Sequence, residues 1–337
     1  MKMGSITFSV IIPTYNSEKT LRFTLESIKM QKYDLSRVEC LVIDGGSSDL
    51  TLKIAGEYDF VRILNNQKRL PEYAKLVGFR AARGRYIIKM DSDEAFLSED
   101  IFDLREKAFE QFREAHLLVA DIEKYVPVSK KEIAGNYLNA CGDPFSFFIY
   151  RPKKSILDTF QNNTAVSSEN GICLLKFSGN DKRPIADGGT TVFDREYLLD
   201  RFPDKMDDIS FVCSFSDKIL DDMGNCLCIK DDTVLHRSRS DLKSYLSKIR
   251  FRIINNIFHK EESGFSSRKV SSGKKKYLFP LYTFSFVLPL IDAAKLAKEY
   301  GDFRMLMHIF YCYYTCFYIF WYLLLSLLKI NKFNTEY

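Results

Sequence analysis

Glycine and proline are sparse, at 16 and 9 of 337 residues, which excludes collagen-like and low-complexity chains. Hydrophobic residues make up 46% and charged residues 28%, too apolar for intrinsic disorder. Neither sign of charge dominates. A net charge of +5 is a weak argument for a polyanionic partner, and no basic stripe interleaved with aromatics runs through the first 230 residues. A nucleic-acid partner is therefore not expected. A glycine-rich dinucleotide loop is also missing. The first apolar run ends in Pro13-Thr14-Tyr15-Asn16-Ser17, which speaks against a dinucleotide-dependent oxidoreductase. Phe8 to Ile12 is too short for the apolar core of a signal peptide, so none is expected. The 8 cysteines show neither zinc nor disulfide-scaffold spacing, which fits a reducing compartment. Cys226 and Cys228 fall on one face of a strand and read as small buried hydrophobes. The sequon Asn162-Asn163-Thr164 carries no meaning in a cytosolic domain.

Short β-branched runs alternate with helical stretches up to about residue 120. Phe8–Ile12, Cys40–Ile43, Phe60–Leu64 and Tyr86–Met90 read as strands. Between them the spacing predicts helices from Ser17 to about Lys32, from about Asp49 to Tyr58, and from Pro71 to Ala82 with the proline in the first turn. Such alternation predicts an α/β fold with a mostly parallel sheet flanked by helices. From about 121 to 236 the pattern is less regular. Phe145–Tyr150 looks like a strand, Gly188–Phe193 like a loop entering another, and Asp221–Gly224 like a helix end.

The last hundred residues differ in texture. Ser240 or Asp241 can cap a helix through about Phe258, with Leu242, Leu246, Ile249, Ile253 and Ile257 apolar and Lys243, Lys248, Arg250 and Arg252 basic. Its basic side could grip a phosphate or lie on a membrane. A polar linker follows from Glu261 to Lys276. Met305–Leu328 is apolar apart from His308 and would give ~36 Å of helix, enough to cross a bilayer. Leu278–Ile291 is broken by Pro280 and Pro289 and reads as an interfacial or re-entrant piece. Lys274, Lys275 and Lys276 just before it favour anionic lipid and a cytoplasmic position for everything upstream. The expected organisation is a catalytic domain over 1–236, an amphipathic juxtamembrane helix and linker over 237–276, and a membrane-associated region over 277–337 with a transmembrane helix at 305–328.

The chemistry concentrates at strand ends. Asp91-Ser92-Asp93 directly follows a strand, and two carboxylates at i and i+2 there can converge on Mg²⁺ or Mn²⁺. Open α/β sheets bind ligands at that edge. Asp44-Gly45-Gly46-Ser47-Ser48-Asp49 ends the second strand, where Asp44 could accept from a base N–H and Asp49 could cap the next helix. Pro13-Thr14-Tyr15-Asn16 ends the first, so three strand ends offer polar groups on one edge.

Val10–Asn16, Val42–Asp49, Ala81-Ala82-Arg83-Gly84-Arg85-Tyr86 and Asp91-Ser92-Asp93 come in the order seen in family 2 glycosyltransferases, which the chain resembles strongly over about residues 7 to 95. The resemblance implies a GT-A fold and inverting sugar transfer. It implies that Pro13, Thr14, Tyr15, Asn16, Asp44, Lys75 and Asp91 bind the nucleotide-sugar. Lys75 stands where the family often has arginine, so it offers a point charge in place of a bidentate fork. The metal, Mg²⁺ or Mn²⁺, would be held by Asp91, Asp93 and His236. The general base would come from Asp207-Asp208, with Asp208 preferred and Asp217 an alternative. The expected partners are a nucleotide-sugar donor (a UDP-sugar ahead of a GDP-sugar), a lipid-linked or glycan acceptor and a membrane, with the catalytic domain on its cytoplasmic face. A sugar-nucleotide-binding protein without turnover and a nucleotidyltransferase are the rival readings.

Overall fold

A computed structural model describes residues 6–126, 132–168, 170–178, 181, 183–184, 191–237, 241–258 and 273–330. The chain divides into two compact units, one of 1–123 with 155–237 and one of 124–154 with 238–337.

The first unit is built on a ten-stranded sheet. Its strands are β1 (Phe8–Thr14), β2 (Val38–Asp44), β3 (Val61–Asn65), β4 (Tyr86–Lys89), β5 (Glu94–Phe96), β6 (Leu117–Tyr125), β7 (Thr164–Ser167), β8 (Ile172–Lys176), β9 (Val192–Asp194) and β10 (Asn225–His236). They lie in the order β3-β2-β1-β4-β9-β6-β10-β8-β7, and β5 pairs with β10. β3, β2, β1 and β4 run parallel. β9 is antiparallel to both β4 and β6, and β8 is antiparallel to β10 and β7, so the sheet is mixed.

β2 is buried along its whole length and β1 nearly so, which explains their near-continuous runs of Val, Ile and Leu. Side chains alternate between two cores. Phe8, Val10, Ile12, Cys40 and Val42 pack with Leu21, Leu25 and Ile28 of the helix Leu21–Lys29 and with Phe102 and Phe109 of the helix Ile101–Gln111. Ile11, Leu41 and Ile43 pack on the other face with Ala74, Leu76 and Phe79 of the helix Pro71–Ala81, and with Phe211, Phe215 and Ile219. Cys226 and Cys228 join this second core, while Leu227 between them joins the first.

The segment Arg83-Gly84-Arg85 explains its sequence pattern. A Cβ on Gly84 would sit 2.6 Å from the Ser9 amide nitrogen, so only glycine lets the chain pass β1 on its way into β4. Buried Glu39 pins the same crossing, accepting from Ser9 Oγ at 2.6 Å, from the Arg83 amide at 2.6 Å and from Arg83 Nε at 2.9 Å. Arg105 and Asp232 form an ion pair with no solvent exposure on either side chain, at 2.8 Å.

The expected helices and strands before residue 90 are present, with bounds shifted by a few residues; the helix near Asp49, for example, is Thr51–Ala55. One assignment is corrected: Phe145–Tyr150 lies in the helix Pro144–Tyr150, not in a strand. Asp143 caps it by accepting from the Ser146 amide, and Pro144 fits the first turn, so local capping overrides the β preference of the aromatics. Ser240 and the Gly188-Gly189-Thr190 stretch lie outside the described residues, while Val192 and Phe193 do enter a strand.

The second unit is helical: Gly135–Cys141, Pro144–Tyr150, Leu242–Phe258, Phe279–Phe284, Val287–Tyr300 and His308–Leu327. Asp241 accepts from the Ser244 amide at 3.1 Å and so caps Leu242–Phe258. Both prolines that break the 278–291 run open helices, and Lys274–Phe284 meets Val287–Tyr300 at 91°. A polar chain threads this unit's interior. His308 bonds the Tyr137 hydroxyl through Nδ1 and the Tyr282 hydroxyl through Nε2, and Tyr282 donates at 2.6 Å to Asp292, which pairs with Arg151. Among the described residues one helix, Phe303–Leu327, is long and apolar enough to cross a membrane.

Candidate functional site

Three parallel strands end side by side, and side chains tie their ends together. Thr14 closes β1 and donates at 3.3 Å to Asp44, which closes β2. Asn16, in the left-handed region at φ 49°, receives the Ser48 amide on Oδ1, while its own amide donates to Ser47 Oγ. Ser17 Oγ lies 2.9 Å from Ser92 Oγ and so joins the end of β1 to the turn after β4.

Asp44 is buried, and its carboxylate accepts four bonds. Oδ2 takes the amides of Gly46 and Ser47, and Oδ1 takes the hydroxyls of Ser47 and Thr14. Four is about the full capacity of a carboxylate. Its structural work is to hold the turn beside Tyr15, a residue that stays 58% exposed and packs next to Gly45. Asp49 serves both ends of its loop, accepting from the amides of Glu18 and Thr51. Gly46, at φ +89°, leaves space beside the Arg69 guanidinium, a cation the sequence pattern does not single out.

The Asp91-Ser92-Asp93 turn is closed by Glu94, which accepts from the Asp91 amide while its own amide donates back to the Asp91 carbonyl. β5 then pairs antiparallel with the end of β10 and sets His236 directly opposite Glu94. The Arg237 amide donates to the Asp93 carbonyl at 2.7 Å. His236 Nε2 thereby lies 3.4 Å from Asp93 Oδ2. On its far side, His236 Nδ1 lies 2.9 Å from Glu123 Oε1 on β6, the neighbour of β10. Glu123 escaped the sequence reading. The available signal was Asp121-Ile122-Glu123, acids alternating with an apolar residue on one strand.

Electrostatics follow this geometry. Packed protein atoms raise the Asp91 carboxyl, and Asp93 adds to the rise while Lys75 opposes it. Asp91 keeps an exposed face, so solvent moderates the effect. Burial would lower the His236 imidazole, but the carboxylates of Asp93 and Glu123 outweigh it and raise it well above its ordinary value. A cation taken up by Nε2 would displace a proton.

Among the described residues no three His, Cys, Asp or Glu side chains converge to hold a metal by themselves. The donor set still fits one of the expected metals. Asp93 and His236 offer an oxygen and a nitrogen that face each other, with Asp91 beside them, and hard divalent cations commonly complete their shell with phosphate and water.

Asp207 and Asp208 stand at a different end of the helix Pro71–Ala81. Asp207 is 81% exposed and pairs with Arg80, five positions beyond Lys75, or ~7.5 Å along the helix axis. Asp208 caps the helix Ile209–Cys213, its Oδ1 accepting from the amides of Ser210 and Phe211. Asp217 lies in the first turn of the helix Phe215–Met223. Pro13 is half-buried inside β1, and Lys75 is half-buried on its helix.

The family model for glycosyl transferase family 2 matches residues 9–199, more than half of the chain. The poly(ribitol-phosphate) beta-N-acetylglucosaminyltransferase TarS of Staphylococcus aureus is 34% identical over 101 residues, 28% of this chain and 18% of TarS. A dolichyl N-acetyl-alpha-D-glucosaminyl phosphate 3-beta-D-2,3-diacetamido-2,3-dideoxy-beta-D-glucuronosyltransferase of Methanococcus voltae is 36% identical over 86 residues, 24% of this chain and 27% of that protein. The chain thus spans less than a third of the length of these curated relatives. In fold, it is similar to the mannosyltransferase PcManGT of Pyrobaculum calidifontis, solved with GDP-Man and Mn²⁺. The TM-score is 0.52 at 15% identity, covering 93% of this chain and 87% of that one.

Proposed function

The chain belongs to glycosyl transferase family 2, and from that premise we propose that it moves a sugar from a UDP-sugar to a hydroxyl of a lipid-linked or membrane-proximal glycan, with inversion. The observation that carries this reading is the facing pair of Asp93 and His236 at the turn after β4, which Ser17 and Ser92 tie to the hydrogen-bonded ends of β1 and β2. Tyr15, an exposed residue, offers a stacking surface for the base, and the Asp44 turn holds that surface in place. Lys75 and Arg69 supply positive charge toward a diphosphate. Asp91, Asp93 and His236 would hold Mg²⁺ or Mn²⁺, which neutralises the diphosphate and the charge that builds on it as it leaves.

Asp208 takes the acceptor proton. Its Oδ1 is spent on the helix cap, and no described residue engages Oδ2. The acceptor oxygen bonds to the anomeric carbon as its proton passes to the carboxylate. The bond from that carbon to the diphosphate oxygen breaks, and the nucleoside diphosphate departs. The named relatives act on poly(ribitol-phosphate) and on a dolichyl-phosphate-linked sugar, which supports an acceptor of the membrane-associated kind. The lysines at 274–276 would be drawn to the anionic lipid of a cytoplasmic leaflet, which supports placing the first unit on that face.

The test is nucleotide release from a panel of UDP- and GDP-sugars by detergent-solubilised full-length protein, with Mn²⁺ and with EDTA. Metal-dependent release from one UDP-sugar, abolished in Asp93→Ala, is the expected result. No binding of any sugar-nucleotide by folded protein would overturn the proposal.

A further inference from the structure

The helix His308–Leu327 has two unlike sides. His308, Tyr311, Cys312, Thr315, Cys316 and Tyr322 are buried against the rest of the second unit. Phe310, Phe317, Phe320, Trp321, Leu324 and Leu327 form an exposed apolar stripe opposite. The companion helix Leu242–Phe258 runs beside it through the same levels. Tyr245 packs edge-on against Tyr311, the Arg250 guanidinium lies 5.2 Å over the Tyr318 ring, and Phe258 meets Tyr322. That companion shows Lys243, Arg250 and Asn256 to solvent.

If His308–Leu327 crossed a bilayer, Arg250 would sit beside its midpoint, at the depth where hydrocarbon most strongly excludes a guanidinium. Laid flat, the same pair of helices turns one apolar stripe to acyl chains and keeps the basic residues in water. Lys274 and Lys276 are exposed and run directly into exposed Tyr277, Leu278 and Leu281, so cationic and apolar groups suited to an anionic interface adjoin in one segment.

We propose that the second unit docks in the plane of an anionic bilayer surface, with the stripe from Phe310 to Leu327 entering only to the headgroup–acyl boundary and no helix crossing. The proposal deepens the membrane-proximal acceptor of the function given above and rests on that reading for the acceptor alone.

Trp321, the one tryptophan of the chain, reports depth directly. Full-length protein is bound to phosphatidylcholine–phosphatidylglycerol vesicles carrying lipids brominated at graded positions along the acyl chain. The measurement is repeated with tryptophan moved along the stripe, in Phe310→Trp/Trp321→Phe and in Phe317→Trp/Trp321→Phe. Flat docking gives a blue shift in all three proteins and one shallow depth. A crossing helix separates positions 310 and 321 by about 16 Å of depth and overturns the proposal. Lys274→Glu/Lys276→Glu should weaken binding to the anionic vesicles at least ~10-fold. Absence of any blue shift, with sedimentation showing a dimer, would mean that a second copy covers the stripe and would also overturn it. Donor hydrolysis in detergent, measured on the same preparations, stands or falls separately.

Discussion

Replacing Glu123 with alanine should weaken divalent-metal binding at the Asp93–His236 pair while leaving both side chains of the pair in place. Glu123 Oε1 holds His236 Nδ1 at 2.9 Å, which fixes the ring so that Nε2 faces Asp93. Carboxylates that orient a metal-binding histidine in this way are worth 10–100-fold in affinity, or ~1.4–2.7 kcal/mol. Here Glu123 is 41% exposed, so water can take over as acceptor when the carboxylate is removed, and the loss should fall near 10-fold. Glu123→Gln keeps an acceptor oxygen without the charge and should lose only about threefold. The assay is the electron paramagnetic resonance signal of free Mn²⁺ during titration of full-length protein with UDP present, alongside His236→Ala. Wild-type Mn²⁺ affinity in Glu123→Ala, with affinity lost in His236→Ala, would refute the positioning argument. Failure of all forms to bind Mn²⁺ would instead refute the metal site.

Gly84→Ala should cost ~1–3 kcal/mol in urea unfolding, because its Cβ meets the Ser9 backbone at 2.6 Å; Gly56→Ala, whose Cβ would meet only ordinary contacts from 3.5 Å, is the near-neutral control. Arg105→Met should destabilise by ~3–5 kcal/mol, since it strands Asp232 as a buried charge, and adding Asp232→Leu should restore much of the loss; a single variant within 1 kcal/mol of wild type would refute the ion-pair account. The Asp222 carboxyl is held down to about 2 by its hydrogen bonds from Arg201 and Tyr197, so its favourable contribution is complete above the ordinary value near 3.8 and fades as pH falls toward 2. An NMR titration should find that low midpoint, and Arg201→Gln should return it toward the ordinary range.

The parallel half of the sheet was legible because its signals are local. Unbroken Val and Ile runs mark β1 and β2, Pro71 opens its helix in the first turn, and strand-ending aspartates sit where the sheet presents them. The other half depends on pairings between distant segments. His236 reaches Asp93 because β5 pairs with the end of β10, and Glu123 reaches His236 because β6 lies beside β10. Neither follows from periodicity. Phe145–Tyr150 has the aromatic content of a strand, but the Asp143-Pro144 start signal before it marks a helix. Asp44 stood out for its position, but only the structure shows its four acceptor positions already engaged within the turn.

The short strand β5 has a consequence for motion. Three residues hold the Asp93 turn against β10, through Val234↔Phe96, Leu235↔Ala95 and His236↔Glu94. So short a ladder can fray as a local opening while the deep sheet strands stay intact, and amide hydrogen exchange would see it as fast exchange confined to this seam. A cation bridging Asp93 and His236 would stitch the seam shut, so loading of the site should be readable as slowed exchange along β5 well before any product is measured.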